Sequence, residues 1–147
     1  LSLTEKAWAT AWQRSSQTYS VGRPQELESP EGTKRIYLDN DSWQADAITL
    51  MELAKYILVC IHPNENCIWE ISQCNTRFSE KTIYYVDDIN NLDIIKEKMG
   101  DELPICLKSK EIDHNHIMVY QKDGQVVMKS YTNTDSGLSD AVFAFFN

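Results

Sequence analysis

Residues Tyr56–Ile71, YILVCIHPNENCIWEI, decide the fold. The run Tyr56–Ile61 is apolar without alternation and stops at His62-Pro63. A short polar turn, Asn64 to Asn66, leads into Ile68, Trp69 and Ile71, which recur at helical spacing with Glu70 among them. A continuous apolar run bounded by a turn is the pattern of a strand covered on both faces, and the spacing after it is that of an amphipathic helix. The unit is therefore strand, tight turn, helix, and Glu70 is expected to aim back toward the strand's carboxyl end. Ligands of open α/β sheets bind in the crevice outside those ends.

The same reading extends outward. Thr4 to Arg14 form a helix carrying Trp8 and Trp12, and Gln17 to Val21 a first strand closed by Gly22-Arg23-Pro24. Gln25 to Thr33 read as loop. Arg35 to Leu38 make a second strand ending at Asp39. Asp41 caps a helix whose apolar face is Trp43, Ala47, Leu50, Met51 and Ala54, with Gln44 completing a capping box. Thr82 to Val86 form a fourth strand, and Asp88 caps a helix over Ile89–Met99 that Gly100 stops. Three consecutive strand-then-helix units predict a parallel sheet of four neighbouring strands. After Pro104 the pattern changes: Asp123-Gly124 lies between strand-like runs Ile117–Gln121 and Gln125–Tyr131, a strong hairpin signal. Leu138, Val142, Phe145 and Phe146 belong to a closing helix. The expected fold is a single α/β domain over 1–147, a three-layer sandwich with a mainly parallel sheet and a C-terminal antiparallel hairpin.

Length, charge and cysteine use narrow the function. A chain of 147 residues buries about two-thirds of its unfolded surface as one domain. A net charge of −8, with Lys108-Ser109-Lys110 the nearest thing to a basic cluster, argues against nucleic acid and anionic lipid as partners. Cys60, Cys67, Cys74 and Cys106 form no CxxC pair and read as buried free thiols of a reducing compartment. No run approaches the length of a membrane span, and no signal peptide is visible in these residues. The chain opens at Leu1 rather than Met, so a fragment or processed protein is expected. Neither GxGxxG nor GxxxxGK[ST] is present, so no dinucleotide or triphosphate fingerprint and no cofactor is assigned.

Four strand ends are expected to converge on one crevice, bringing Arg23, Asp39, His62, Asn64 and Asp87 together as ligand-binding residues, with Glu70 about one turn into the third helix. A carboxylate, a cation and several hydrogen-bonding groups would suit cleavage of an N-glycosidic bond, with Glu70 stabilising or attacking an oxocarbenium-like sugar and the cation holding an anionic group. The bland alternative makes Asp39 and Asp87 turn formers, Arg23 a loop residue and Glu70 an exposed helix residue. Asp113-His114-Asn115-His116 would put two histidines on one strand face, but a third ligand is missing and no metal is assigned. Cys67 and Cys74 lack a histidine partner, which leaves no nucleophilic cysteine.

A set of dispersed residues carries a resemblance. Val21-Gly22-Arg23-Pro24 with Glu26 and Pro30, the strand Arg35-Ile36-Tyr37-Leu38-Asp39, Trp43 with Leu50-Met51 and Ala54, and Ile68-Trp69-Glu70 follow in order. This pattern resembles, from about Thr4 to Pro104, the soluble domain that follows transmembrane helices in a group of bacterial membrane proteins of unassigned function. At the level of fold it is also similar to nucleoside 2-deoxyribosyltransferases and TIR domains, which place a catalytic glutamate on the helix after a central strand. Only Glu70 carries over from those enzymes. Where they have small residues before that helix, this chain has Pro63, Asn64, Glu65 and Asn66.

The resemblance implies a chain on the cytoplasmic side of a bacterial inner membrane, attached only through segments outside it. The function expected is a regulatory or interaction domain that binds a nucleotide-like ligand at the strand carboxyl ends. The alternatives are an N-glycosidase or ribosyltransferase acting on nucleosides or NAD through Glu70, and a scaffold without ligand.

Overall fold

The structure, a computed structural model, describes residues 19–22, 34–37 and 43–146. The chain divides into two compact units, 1–53 with 131–147 and 54–130, and each is described by itself.

In the first unit, strands β1 (Tyr19–Gly22) and β2 (Lys34–Tyr37) pair in parallel, Val21 opposite Ile36. Helix α1 covers Trp43–Leu53. Of its expected apolar face only Ala47 is buried, while Trp43, Leu50 and Met51 are half-buried, so Trp43 is not the core anchor its spacing suggests. The closing helix, called α4 below, covers Asp135–Phe146 and buries Leu138, Ala141, Val142 and Phe145. Thr134 caps it, its hydroxyl accepting from the Gly137 N–H at 3.1 Å. Glycine is required there, because a Cβ on Gly137 would overlap the Thr132 carbonyl oxygen. The helix expected over Thr4–Arg14, the Asp41 cap and the candidates Arg23 and Asp39 lie outside the described residues.

The second unit is built on a four-stranded sheet in the order β3-β4-β5-β6: Ile57–Cys60, Thr82–Val86, Ile117–Lys122 and Gln125–Ser130. Helix α2 (Glu65–Arg77) follows β3 and helix α3 (Ile89–Met99) follows β4. β3 and β4 run parallel as expected, Val59 opposite Tyr84. β5 then adds antiparallel to β4, Tyr84 opposite Val119, so this sheet is mixed. Within the described residues β1–β2 form their own two-stranded sheet, and the expectation of one mainly parallel, three-layer sheet is met only as an α/β fold with two parallel pairs and a C-terminal hairpin.

With β5 beside β4, β3 is left at an edge of the sheet and β4 has neighbours on both sides. All five residues of β4 are buried, whereas in β3 only Val59 is, and Leu58 is half-buried. A strand with neighbours on both edges and cover on both faces loses the most water, about 1.5–3 kcal/mol for each large apolar side chain fully buried. Ile83 and Val86 are wholly inaccessible. Helix α2 buries Cys67, Ile71 and Cys74, one stripe at the helical period, and α3 buries Leu92, Ile95 and Met99 in the same way. Trp69, like Trp43, is half-buried rather than a core anchor. The segment between α3 and β5 adds Leu103, Cys106, Leu107 and Ile112 to the core through two single 3₁₀ turns.

The hairpin turn matches its sequence signal. Lys122 pairs with Gln125, leaving Asp123 (φ 54°) and Gly124 (φ 77°) as the two turn residues. Both angles are positive, the requirement of a type I′ turn, which twists with the strands it joins. A Cβ on Gly124 would meet no atom within 4 Å, so the cost of a larger residue there is backbone strain alone. Gly124→Val is expected to lose about 1–2 kcal/mol, the scale of left-handed strain in an L-residue. Equilibrium urea unfolding measures this, and a variant as stable as the parent would contradict the turn assignment.

Candidate functional site

Two parallel strands end side by side in the second unit, and their carboxyl ends define the candidate crevice. Cys60 is opposite Tyr85, and the Ile61 N–H donates to the Tyr85 carbonyl at 3.2 Å. Two steps further along this register, just past the two strands, His62 falls beside Asp87. On β4's other edge Val86 is opposite Ile117, and the His116 N–H donates to the Val86 carbonyl at 2.8 Å, which sets His116 beside Asp87 as well. Three adjacent strand ends thus present His62, Asp87 and His116 in one row.

The turn after β3 is closed by a sulfur. The Cys67 thiol donates to the Cys60 carbonyl at 3.3 Å, and its sulfur accepts from the His62 N–H at 3.4 Å. Asn64 is the N-cap of α2, its side chain accepting from the Cys67 N–H at 2.8 Å. That cap explains Asn64 as a structural residue, and caps of this kind contribute about 0.5–2 kcal/mol. Cys60 and His62, two apart on one strand face, bring Sγ and Nε2 to 3.2 Å. The i, i+2 spacing held this thiol–imidazole pair in plain view, but a search for partners of Cys67 and Cys74 passes over it.

The N-terminus of α3 has its amides occupied. Asp88 accepts from Asn90 N–H at 2.9 Å through its side chain and from Asn91 N–H at 3.1 Å through its carbonyl. The Ile89 N–H goes to the Asn115 side chain at 2.7 Å. A helix end binds phosphate through free N–H groups. Here three of them are spent on protein partners, and Asp88 adds an acid, so this terminus does not favour an anion.

Asp87 is different from its neighbour. Its Oδ1 is buried and has no hydrogen-bond partner among the described residues. An unsatisfied buried polar atom costs about 1–3 kcal/mol, and each one in a folded protein asks for an explanation. Beside it His116 has a φ of 68°, in the left-handed region that a residue with a Cβ enters at a cost of roughly 1–3 kcal/mol. The segment Asp113–His116 is thus not a strand that shows two histidines on one face. His114 bonds Asp113 at 2.7 Å and Ser130 at 3.2 Å, and that bond holds the Asp113 carboxyl below its usual range. Among the described residues no three His, Cys, Asp or Glu side chains group as metal ligands.

Glu70 does not join the row. α2 starts at the carboxyl end of β3, where Cys67 meets Cys60, and ends where Phe78 and Lys81 approach the start of β4. Glu70 lies three residues past Cys67, about 4.5 Å along the axis. Cys67 and Cys74 of α2 both bear on the Tyr84 hydroxyl, so the helix covers the Tyr84 face of the sheet. Cys60, Tyr85 and Asp87 belong to the opposite face by strand alternation, and His62 follows Cys60.

Burial pushes the thiols of Cys74 and Cys106 up from 9.0 to about 11. None of the four described cysteines is in a disulfide, and only Cys60 is more than marginally exposed. Two consequences are expected. Iodoacetamide at mildly alkaline pH should alkylate Cys60 in the folded protein and spare Cys74 and Cys106 until unfolding, read by peptide mass spectrometry. The folded state holds the Cys74 and Cys106 protons more tightly than the unfolded chain does. Unfolding therefore releases protons between pH 9.0 and about 11, and stability falls as pH rises through that window. Equal labelling of Cys60 and Cys74 in the native protein would contradict the burial described.

Among the described residues no helix is long and apolar enough to cross a membrane. Comparison with known proteins gave no match: no protein family, no characterised protein and no solved structure matches this chain.

Proposed function

We propose that this chain is a regulatory or interaction domain whose second unit binds the nucleoside part of a nucleotide-like ligand at the carboxyl ends of β3 and β4. The observation that carries the reading is the buried, unpartnered Oδ1 of Asp87 between His62 and His116. An acidic side chain at such a strand end is suited to accept hydrogen bonds from ribose hydroxyls. Imidazoles on either side offer donors, acceptors and flat faces to a sugar or base. Glu65 in the first turn of α2 and Asp88 at the cap of α3 are acidic residues at the two helix starts, and the α3 amides are occupied, so the sugar and base rather than a phosphate supply the affinity. The resemblance to soluble domains of bacterial membrane proteins supports a place on the cytoplasmic side of an inner membrane, with attachment through segments beyond this chain.

Catalysis on N-glycosidic bonds through Glu70 gains no support from its position along α2, on the helix that covers the other face of the sheet. Purified protein is expected to leave nucleosides and NAD intact, and release of free base or nicotinamide that is lost in Glu70→Gln would restore the enzyme reading.

Binding is tested by thermal unfolding with adenosine, uridine and NAD. At about ten times Kd, a ligand of the folded state adds about 1.4 kcal/mol, a rise of roughly 3–6 °C in Tm for a chain of this size. Asp87→Ala removes charge-assisted hydrogen bonds of about 1.5–3 kcal/mol and should weaken binding by about tenfold to a hundredfold without destabilising the free protein. No shift with any of the three, or a shift that Asp87→Ala leaves unchanged, would sink the proposal.

A further inference from the structure

A second polar site lies at the other end and on the other face of the same sheet. A cavity of about 370 Å³ opens beside the start of β4, with Tyr84 and Thr82 of β4 and Gln121 of β5 lining one side. These three belong to one sheet face, because Tyr84 is opposite Val119 and the residues two apart along each strand follow suit. Asn75 and Ser79, from the end of α2 and the turn after it, line a second side, and Leu103 to Cys106 a third. Every lining residue comes from the second unit, and the volume is within the range of small-molecule sites.

The chemistry of the lining is selective. Tyr84 is 3% exposed and its hydroxyl is buried with no hydrogen-bond partner. Burial raises its pKa, so it stays a neutral phenol with one proton to donate. Thr82 donates its hydroxyl proton to the Phe78 carbonyl at 2.7 Å and has a lone pair left to accept. Asn75 and Gln121 each offer an amide, with donors and an acceptor. Two opposite charges stand at the rim, Asp101 and Lys108, where the Lys108 ammonium makes one long bond of 3.4 Å to the Asp101 carbonyl and keeps its other donors.

We propose that this cavity binds a small zwitterion of amino-acid type, its carboxylate on Lys108, its ammonium on Asp101, and a polar side chain reaching the Tyr84 hydroxyl. A cation and a carboxylate on one rim match the two ends of such a molecule and give neither a polyanion nor a polycation an advantage. The uncharged donors and acceptors below match a hydroxyl or amide side chain. The site shares no residue with the carboxyl-edge crevice and stands or falls independently of it.

Isothermal titration calorimetry with the common L-amino acids, one at a time and starting from glutamine, asparagine and serine, tests this. Wild type is expected to bind at least one of them, with affinity reduced at least tenfold in Tyr84→Phe and in Lys108→Ala and unchanged in Asp87→Ala. Lys108 is exposed, so its truncation leaves the fold intact and keeps the test meaningful. Tyr84→Phe deletes only an unsatisfied hydroxyl, and the free variant should melt no lower than wild type. Absence of binding by every amino acid, or binding that Tyr84→Phe does not weaken, overturns the proposal. A free Tyr84→Phe protein that melts clearly lower also overturns it, because the hydroxyl would then be satisfied by water.

Discussion

The second unit depends on β4 being covered on both faces and paired on both edges. Five consecutive buried residues, Thr82 to Val86, put their N–H and C=O groups out of reach of water, so these find partners in β3, in β5 or in the residues just outside them, as Ile61 and His116 show. Thr82, the one polar member, survives burial because its hydroxyl is tied to Phe78. The parallel edge sets where α2 and α3 begin, and the antiparallel edge brings the turn before β5 to the same end. That meeting of three chain segments, after β3, after β4 and before β5, makes the carboxyl edge a site rather than a set of unrelated turns.

What that edge can bind follows from how its polar groups are already spent. Asp88 and Asn115 occupy the first amides of α3, Asn64 takes the Cys67 amide of α2, and Cys67 ties the β3 turn to its own strand. These bonds rigidify the frame and remove the features that would attract phosphate. Asp87 and His116 remain out of balance, the first with a buried oxygen lacking a partner and the second in a left-handed backbone. Costs of this kind persist where the surroundings over-determine them, and they gather at binding sites. At the opposite end Tyr84 shows the same imbalance in a neutral group, and the two ends therefore suit different ligands: sugar hydroxyls for a carboxyl oxygen, a polar zwitterion for a phenol.

Local signals, two parallel pairs and the hairpin were legible in the sequence, and the pairing of β5 with β4 was not. Asp88 and Gly100 bound α3 to the residue, β4 spans Thr82–Val86 as its composition implies, and Asp123-Gly124 makes the expected turn, because caps and turn residues act within a few positions of themselves. The apolar run Tyr56–Ile61 reads as a strand covered on both faces, yet β3 lies at an edge of its sheet with only Val59 buried, and β4 is the strand buried throughout. Nothing local in Ile117–Lys122 says that it will lie against β4 rather than pair with β6 alone, and its arrival makes the sheet mixed. For Glu70 the helical phase was readable, but the face of the sheet that α2 covers is a tertiary fact. Of the candidate residues, His62, Asn64 and Asp87 do end at adjoining strand ends, with Asn64 spent on a cap. His116 was weighed only as half of a metal pair, and nothing local in the sequence shows its positive φ or its bond to Val86.

Chemical-shift mapping tests the central claim most directly. In a ¹⁵N-labelled sample titrated with adenosine, the backbone amides of His62, Asp87, Asp88 and His116 should move together along one saturating curve, while those of Asn75, Gln121 and Lys108 stay in place. Shifts confined to the Asn75–Lys108 end, scattered over the unit, or absent at concentrations that saturate known nucleoside binders would contradict the assignment of the carboxyl edge of β3 and β4 as the binding site.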